Sequence, residues 1–274
     1  MSFKIAVLFP GKVGDALFAT SSIRYIAEKN PGAEIHWLYG APGLTDFVTK
    51  CLVNTDLPVT QYIPYEIPYL HVGIHGKDWR TMDWSSVMPG YDAYYNLSIG
   101  TFPEPGCHLI EWIARGGGLI KRGDLLPVSY LKFKHPPIGR ERNEILVNPW
   151  IPPVERQWKE LMKLKPEYRG YRVCSIGHPD DPMVPGTRDL RGIDYLDYID
   201  HLRTARLVIG LCSSSVVLAA AFAVPAIMIH NISNPLNAGI SRFGPLKFDL
   251  CKPPIYTIEE TLNESLLSMR LLHP

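Results

Sequence analysis

No stretch of this 274-residue chain is uncharged and apolar for long enough to cross a bilayer. The longest such run, Val216 to Ile229, is shorter than the roughly 20 residues a spanning helix needs and contains Pro225. Paired cysteines are lacking as well. Cys51, Cys107, Cys174, Cys212 and Cys251 are odd in number, widely spaced and without a CxxC pair, which argues against a disulfide framework or a zinc site and for reduced thiols in the cytoplasm. Neither sign of charge dominates: 28 Lys plus Arg stand against 27 Asp plus Glu, a net charge of +1, so only a local patch could attract a polyanion. The apolar opening ends at Pro10-Gly11, too short for a signal-peptide core and without a cleavage site. The loop that follows, Gly11-Lys12-Val13-Gly14-Asp15, is neither GxGxxG nor a Walker sequence, so NAD or ATP binding there is poorly supported.

What is present is an alternation of short apolar runs and helix-forming segments. At this length, with 46% hydrophobic residues, the chain exceeds one ordinary domain and can bury two cores. Ile5 to Phe9 is continuously apolar, as a parallel strand covered on both faces must be. Gly14 to Lys29 places Ala16, Ala19, Ile23, Ile26 and Ala27 on one helical face and is stopped by Asn30-Pro31-Gly32. Glu34 to Tyr39 is a second strand, so the opening is a strand-helix-strand unit of a doubly wound sheet. From Gly40 to Gly90 periodicity fades while prolines and aromatics (Tyr62, Tyr65, Tyr69, Trp79, Trp84) collect, as in long connections whose rings fill the core or face a substrate. Tyr91 to Leu97 reads as a strand, and Cys107 to Arg115 as a helix ended by Gly116-Gly117-Gly118.

Lys132 to Arg142, charged and proline-containing, reads as a linker dividing the chain into residues 1–139 and 140–274. The alternation then resumes with a strand Glu144 to Val147, a helix Val154 to Lys163 and a strand Tyr171 to Ile176. Asp194 caps a helix with Leu196, Ile199 and Leu202 inward, Leu207 to Gly210 is a strand, and Thr257 to Leu272 is a final helix. The fold class expected is α/β, two Rossmann-like doubly wound lobes whose parallel sheets face a central cleft. Between strand and helix lie Asp180 and Asp181, which lack a third ligand at regular spacing and read as a solvated loop, not a metal site.

Two stretches carry candidate chemistry. Ser213-Ser214-Ser215 joins a short strand to an alanine-rich helix; three hydroxyls there either cap the first turn or, with its free N–H groups and the helix dipole, hold a phosphate. In open α/β sheets such a turn lies at the carboxyl ends of the strands, where ligands bind. Asp15 stands in the first turn of the first helix, where it either complements the dipole or serves as a general base toward a bound hydroxyl.

The residues around both stretches resemble a known family. Gly14-Asp15 with Ser21, Ile23, Arg24, Tyr25 and Ile26 behind it, then Asn30-Pro31-Gly32-Ala33-Glu34-Ile35-His36-Trp37-Leu38, is similar to the N-terminal signature of the ADP-heptose:lipopolysaccharide heptosyltransferases, glycosyltransferase family nine. Asp189-Leu190-Arg191-Gly192, then Ala205 to Gly210, the serine turn and Leu218 to Pro225, resembles its C-terminal signature. The resemblance implies a GT-B-like fold with an acceptor-binding first lobe and a donor-binding second lobe. It also implies an inverting, metal-independent transfer of sugar from a nucleotide-diphosphate donor to a saccharide or other hydroxyl acceptor, without a cofactor. It places the catalytic carboxylate on Asp15, with Gly11, Lys12 and Gly14 toward the acceptor, and the leaving diphosphate on Ser213, Ser214 and Ser215. Where the family has an aspartate, Ser or Thr, a glycine and then a histidine, this chain has Cys212, Ser213, Ser214 and Val217. The family's basic residue after the first strand of the second lobe has no match among Trp150, Pro152 and Pro153, which leaves His178, Arg188 or Arg191 to supply positive charge.

Three other readings stand beside it. A nucleotide-sugar 2-epimerase on the same scaffold expects several carboxylates and histidines in its cleft. A viral DNA-base-modifying glycosyltransferase needs a basic groove near Lys12, Lys121-Arg122 or the linker. A binding module would keep the nucleotide site without turnover.

Overall fold

The computed structural model of the chain describes residues 2–9, 11–40, 44–65, 85, 88–97, 107–136, 143–149, 160–230, 238–251 and 255–272. The chain divides into two compact units, Met1–Lys134 and His135–Pro274.

In the first unit β1 (Lys4–Phe9), β2 (Glu34–Tyr39), β3 (Gln61–Pro64) and β4 (Ala93–Asn96) form a parallel sheet in the order β3-β2-β1-β4. The continuous apolar run of β1 is explained by burial of Ile5 through Phe9. Helix α1 (Val13–Lys29) buries Ala16, Ala19, Ile23 and Ile26 as their spacing predicts, and Leu17 and Phe18 besides. Asn30 closes it, its Nδ2 donating to the Ile26 carbonyl at 2.8 Å, and Gly32 turns the chain at φ +83°. The side chain of Arg24 leaves the helix to bond Ser129, Asp56 and the Tyr130 carbonyl at 2.7, 2.7 and 2.9 Å, stitching two later segments to α1. Helix α2 (Leu109–Gly116) is capped by His108, whose Nδ1 accepts from the Ile110 N–H, and it stops at Gly117, with Gly118 at φ +71°.

Sequence periodicity passes over β3 because it is a short edge strand that ends in proline. Tyr62 within it packs on Trp37 at 5.9 Å and donates to the Leu52 carbonyl, so this ring is core filling. Tyr69, Trp79, Trp84 and most of the helix expected over Val154 to Lys163 lie outside the described residues.

The second unit holds β5 (Glu144–Asn148), β6 (Glu167–Tyr168), β7 (Tyr171–Gly177), β8 (Arg188–Arg191), β9 (Leu207–Leu211), β10 (Ala226–His230) and β11 (Lys247–Cys251). Their order is β11-β10-β9-β5-β7, and β7's far edge is shared by β6, antiparallel at its start, and β8, parallel along its second half. One sheet face packs Ile145, Val147, Val173, Ile209, Ile227 and Ile229 against Ile258, Leu262 and Leu266 of α5 (Ile255–Leu272). Helices α3 (Tyr195–Thr204) and α4 (Ser214–Ala221) precede and follow β9. Asp194 caps α3, accepting from the Leu196 N–H at 2.8 Å, and Ile199 and Leu202 face inward. The expectation for Leu196 is corrected: it is 49% exposed, because burial along α3 begins only after its first turn, where Tyr195, Asp197 and Tyr198 are also at least part-exposed. Helix α4 ends in a Schellman arrangement, with Val224 N–H bonded to the Ala219 carbonyl, Ala223 N–H to that of Ala220, and Ala223 itself at φ +62°.

Candidate functional site

In both units the strand order reverses beside the first strand. β1 lies between β2 and β4, and β5 between β7 and β9, so each sheet has a crevice at the carboxyl end of its first strand where neighbouring connections leave in opposite directions.

In the second unit that crevice is the β9–α4 turn. Ser213 occupies the N-cap position with extended backbone (φ −131°, ψ 162°), yet its side chain caps no N–H. Its Oγ is sealed from solvent and has no hydrogen-bond partner among the described residues. A buried hydroxyl left in that state costs about 1–3 kcal/mol, a cost that a bound acceptor would remove. Ser214 follows in the first turn, part-exposed. Ser215 is buried and committed: its Oγ lies 2.8 Å from Asn148 Nδ2 and 2.6 Å from the Tyr198 hydroxyl. The three serines thus separate into one orphaned hydroxyl, one part-exposed and one structural. The first-turn N–H groups of α4, which have no partner within the helix, face this edge with the positive end of the dipole.

The turn is held against the sheet by two close approaches. A Cβ on Gly210 would stand 2.9 Å from the Asn148 carbonyl oxygen and 2.8 Å from Val216 Cγ2, so only glycine lets β9 lie this close to β5 and α4. Gly177, at φ +143°, similarly leaves space beside Asn148 Nδ2 and the Asp181 carboxyl. Asn148 and Tyr198, which hold the turn of the candidate site through Ser215, are residues that pattern reading misses. The available signal was a polar residue directly after the apolar run Ile145 to Val147, at the carboxyl end of the central strand.

His178, just after β7, and Arg191, at the end of β8, reach the same edge, while Arg188 at the start of β8 lies away from it. Arg188 pairs in register with Cys174, three residues before the strand's end, and its guanidinium lies 3.1 Å from Glu144 Oε1. Glu144 also holds His201 at 3.0 Å. Arg191, beside Gly177, is bidentate to Asp189 at 2.8 Å through Nε and NH2, and its NH1 donates to the Asp181 carbonyl. This fork holds the Asp189 carboxyl down to about 2. His178 is largely exposed and lies 3.3 Å from Asp180. Asp180 is solvated as expected, but Asp181 is buried, its Oδ2 accepting the His178 N–H at 2.8 Å. Burial raises the Asp181 pKa against the pull of the His178 N–H, His178 and Arg191. Among the described residues no three His, Cys, Asp or Glu are grouped to hold a metal ion.

In the first unit Lys12 is the exposed N-cap of α1 and makes no side-chain cap, while Gly14 and Asp15 stand at the second and third helical positions. Asp15 accepts a hydrogen bond from the Lys12 backbone N–H, the acidic half of a capping box. Burial nonetheless dominates and raises its pKa, against that bond and the Lys12 charge. Gly11 is required by packing: a Cβ there would collide with the Phe9 ring and lie 3.1 Å from Asp15 Cβ. The result is a carboxyl that is part-exposed, fixed by the backbone and tuned toward holding a proton, which suits a general base.

No family model matches the sequence, and no curated protein matches it. The fold does match solved structures. A glycosyl transferase family 9 protein from Veillonella parvula aligns with a TM-score of 0.67 at 12% identity, over 97% of both chains. The fold is heptosyltransferase-like. The E. coli heptosyltransferase WaaC, solved with ADP, aligns at 0.64 and 13% identity over 96% of this chain and all of that one. E. coli ADP-heptose lps heptosyltransferase II aligns at 0.64 and 18% over 98% of this chain and all of that one. The α/β, GT-B-like fold implied by the two terminal signatures is thus the fold observed, and no described helix is long and apolar enough to cross a membrane.

Proposed function

We propose that this chain is a glycosyltransferase that moves a sugar from a nucleoside-diphosphate donor to an acceptor hydroxyl, with inversion and without a metal. The observation that carries the reading is the buried Ser213 hydroxyl, without a partner among the described residues, at an uncapped helix start in the sheet's crevice. The second unit holds the diphosphate there by the first-turn N–H groups of α4 and Ser213 Oγ. Asp15 takes the acceptor's proton, the acceptor oxygen bonds to the anomeric carbon, and the bond from that carbon to the diphosphate oxygen breaks. Charge accumulating on the departing diphosphate is met by the helix start. The Asp189 contact neutralises Arg191, so the dipole and N–H groups carry more of this load than a free arginine would. The heptosyltransferase fold supports the reading, and the thiols of the five cysteines, none in a disulfide, support a reducing, cytoplasmic setting.

The test is thermal unfolding with ADP, UDP, GDP, CDP and dTDP, with and without magnesium. Saturation at a hundred times Kd adds about 2.7 kcal/mol of stability. A midpoint rise for at least one diphosphate, unchanged by magnesium, is expected; no rise with any of them rejects the donor site.

A further inference from the structure

Beside the anion-facing start of α4 stands an aromatic pair that the mechanism above does not use. Tyr198 is fixed by its hydroxyl, 2.6 Å from Ser215 Oγ in the first turn of α4, and Ser215 is fixed in turn by Asn148. The Tyr195 ring lies against that of Tyr198 with centroids 5.6 Å apart and planes tilted 36°. Both rings are part-exposed. Chain direction places them at the carboxyl edge of the sheet, because α3 begins just after β8 reaches that edge at Arg191. The start of α3 is itself spent on the Asp194 cap, so it offers an anion little. What its first turn offers is a ring face beside the neighbouring helix start.

We propose that Tyr195, braced by Tyr198, is the surface on which the donor's nucleobase stacks while its diphosphate lies at the start of α4. This rests on the donor-site reading given above. A nucleoside diphosphate joins a flat π system to an anion, and the edge presents a part-exposed aromatic pair tied through Ser215 to an uncapped helix start carrying the buried, orphaned Ser213 hydroxyl. Stacking on a phenol ring reads no hydrogen-bond pattern, so Tyr195 supplies affinity for all bases alike.

The experiment is titration calorimetry of wild type, Y195A and Y195F with the five nucleoside diphosphates and with inorganic pyrophosphate. Y195A is expected to weaken nucleoside diphosphate binding about 5- to 150-fold and to leave pyrophosphate binding unchanged, while Y195F, which keeps the ring, binds both like wild type. Unchanged nucleoside diphosphate affinity in Y195A overturns the proposal. So does parallel weakening of pyrophosphate, which would mean that the substitution only distorts the start of α4. A wild type that binds pyrophosphate but no nucleoside diphosphate removes the platform and leaves an anion site, whereas a wild type that binds neither removes the donor-site reading as well.

Discussion

Asn148 Nδ2 stands 2.8 Å from Ser215 Oγ, so the end of the central strand of the second sheet is tied directly to the first turn of the helix after β9. The bond joins residues 67 positions apart and sets where that turn sits against the sheet. Ser215 Oγ accepts from both Asn148 and Tyr198, which fills its acceptor positions and ties it to the fold in a way that Ser213 Oγ, among the described residues, is not.

Ser213 and Ser215 should therefore part company on substitution to alanine. S215A removes one hydrogen bond from the buried Asn148 amide and one from the Tyr198 hydroxyl, and should lower unfolding free energy by about 1–3 kcal/mol. S213A deletes a hydroxyl that has no partner among the described residues, so stability should hold or rise slightly while nucleoside diphosphate affinity falls. Urea unfolding gives the first quantity and calorimetric titration the second. Equal loss of stability in both variants would show that Ser213 is part of the fold and not of the site.

How much of this could be read in the residues depends on whether the signal is local. The strand Ile5 to Phe9, helix α1 and the Asp194 cap all announce themselves by period or by residue type, and all are present. Edge strands do not: β8 is Arg-Asp-Leu-Arg, and β11 begins with a lysine buried beneath the Ala223 carbonyl, so neither has an apolar run. Leu196 has the right spacing and is exposed because spacing does not say where a helix outruns what packs on it. Within the two units' candidate sites, Asp15 in one and the serine turn in the other stood out by position, but the sorting of Ser213 from Ser215 depends on Asn148 and Tyr198. Those contacts span 67 and 17 residues and leave no short-range pattern.

Asp249 offers a pH test of the second unit's edge. Its carboxylate accepts from His230 Nε2 at 2.7 Å and from the backbone N–H groups of Ser241 and Ile240 at 2.8 and 3.0 Å. Burial alone would raise its pKa, but these three bonds together outweigh burial and hold it below 3.8. A carboxyl depressed on folding stabilises the native state above its unfolded pKa, and that contribution is lost as pH falls through the folded value. D249N, which removes the charge that accepts from His230 Nε2 and two backbone N–H groups, should cost about 1–3 kcal/mol near neutral pH. The gap between variant and wild type in urea unfolding should close as the pH is lowered below 3.8. A gap independent of pH would mean the carboxylate's charge contributes nothing.

Asp15 gives the opposite sign. Its pKa is raised, chiefly by burial, so the folded chain binds this proton more tightly than the unfolded chain, and ionisation of Asp15 opposes folding above that pKa. In the proposed role of base Asp15 would have to be ionised to work, so on that reading function and stability pull against each other at this residue. D15N keeps an oxygen that can accept the Lys12 N–H and removes the buried charge. At neutral pH its unfolding midpoint should equal or exceed that of wild type, while kcat falls by about 100- to 10,000-fold, the usual range for a general base. In wild type the acid limb of kcat/KM should lie above 3.8, shifted in the direction of the raised carboxyl. Nucleoside diphosphate affinity should not change, because the ligand contacts proposed for it lie in the other unit. Loss of midpoint together with activity would assign Asp15 to the capping box alone, and full turnover in D15N would remove it from the chemistry.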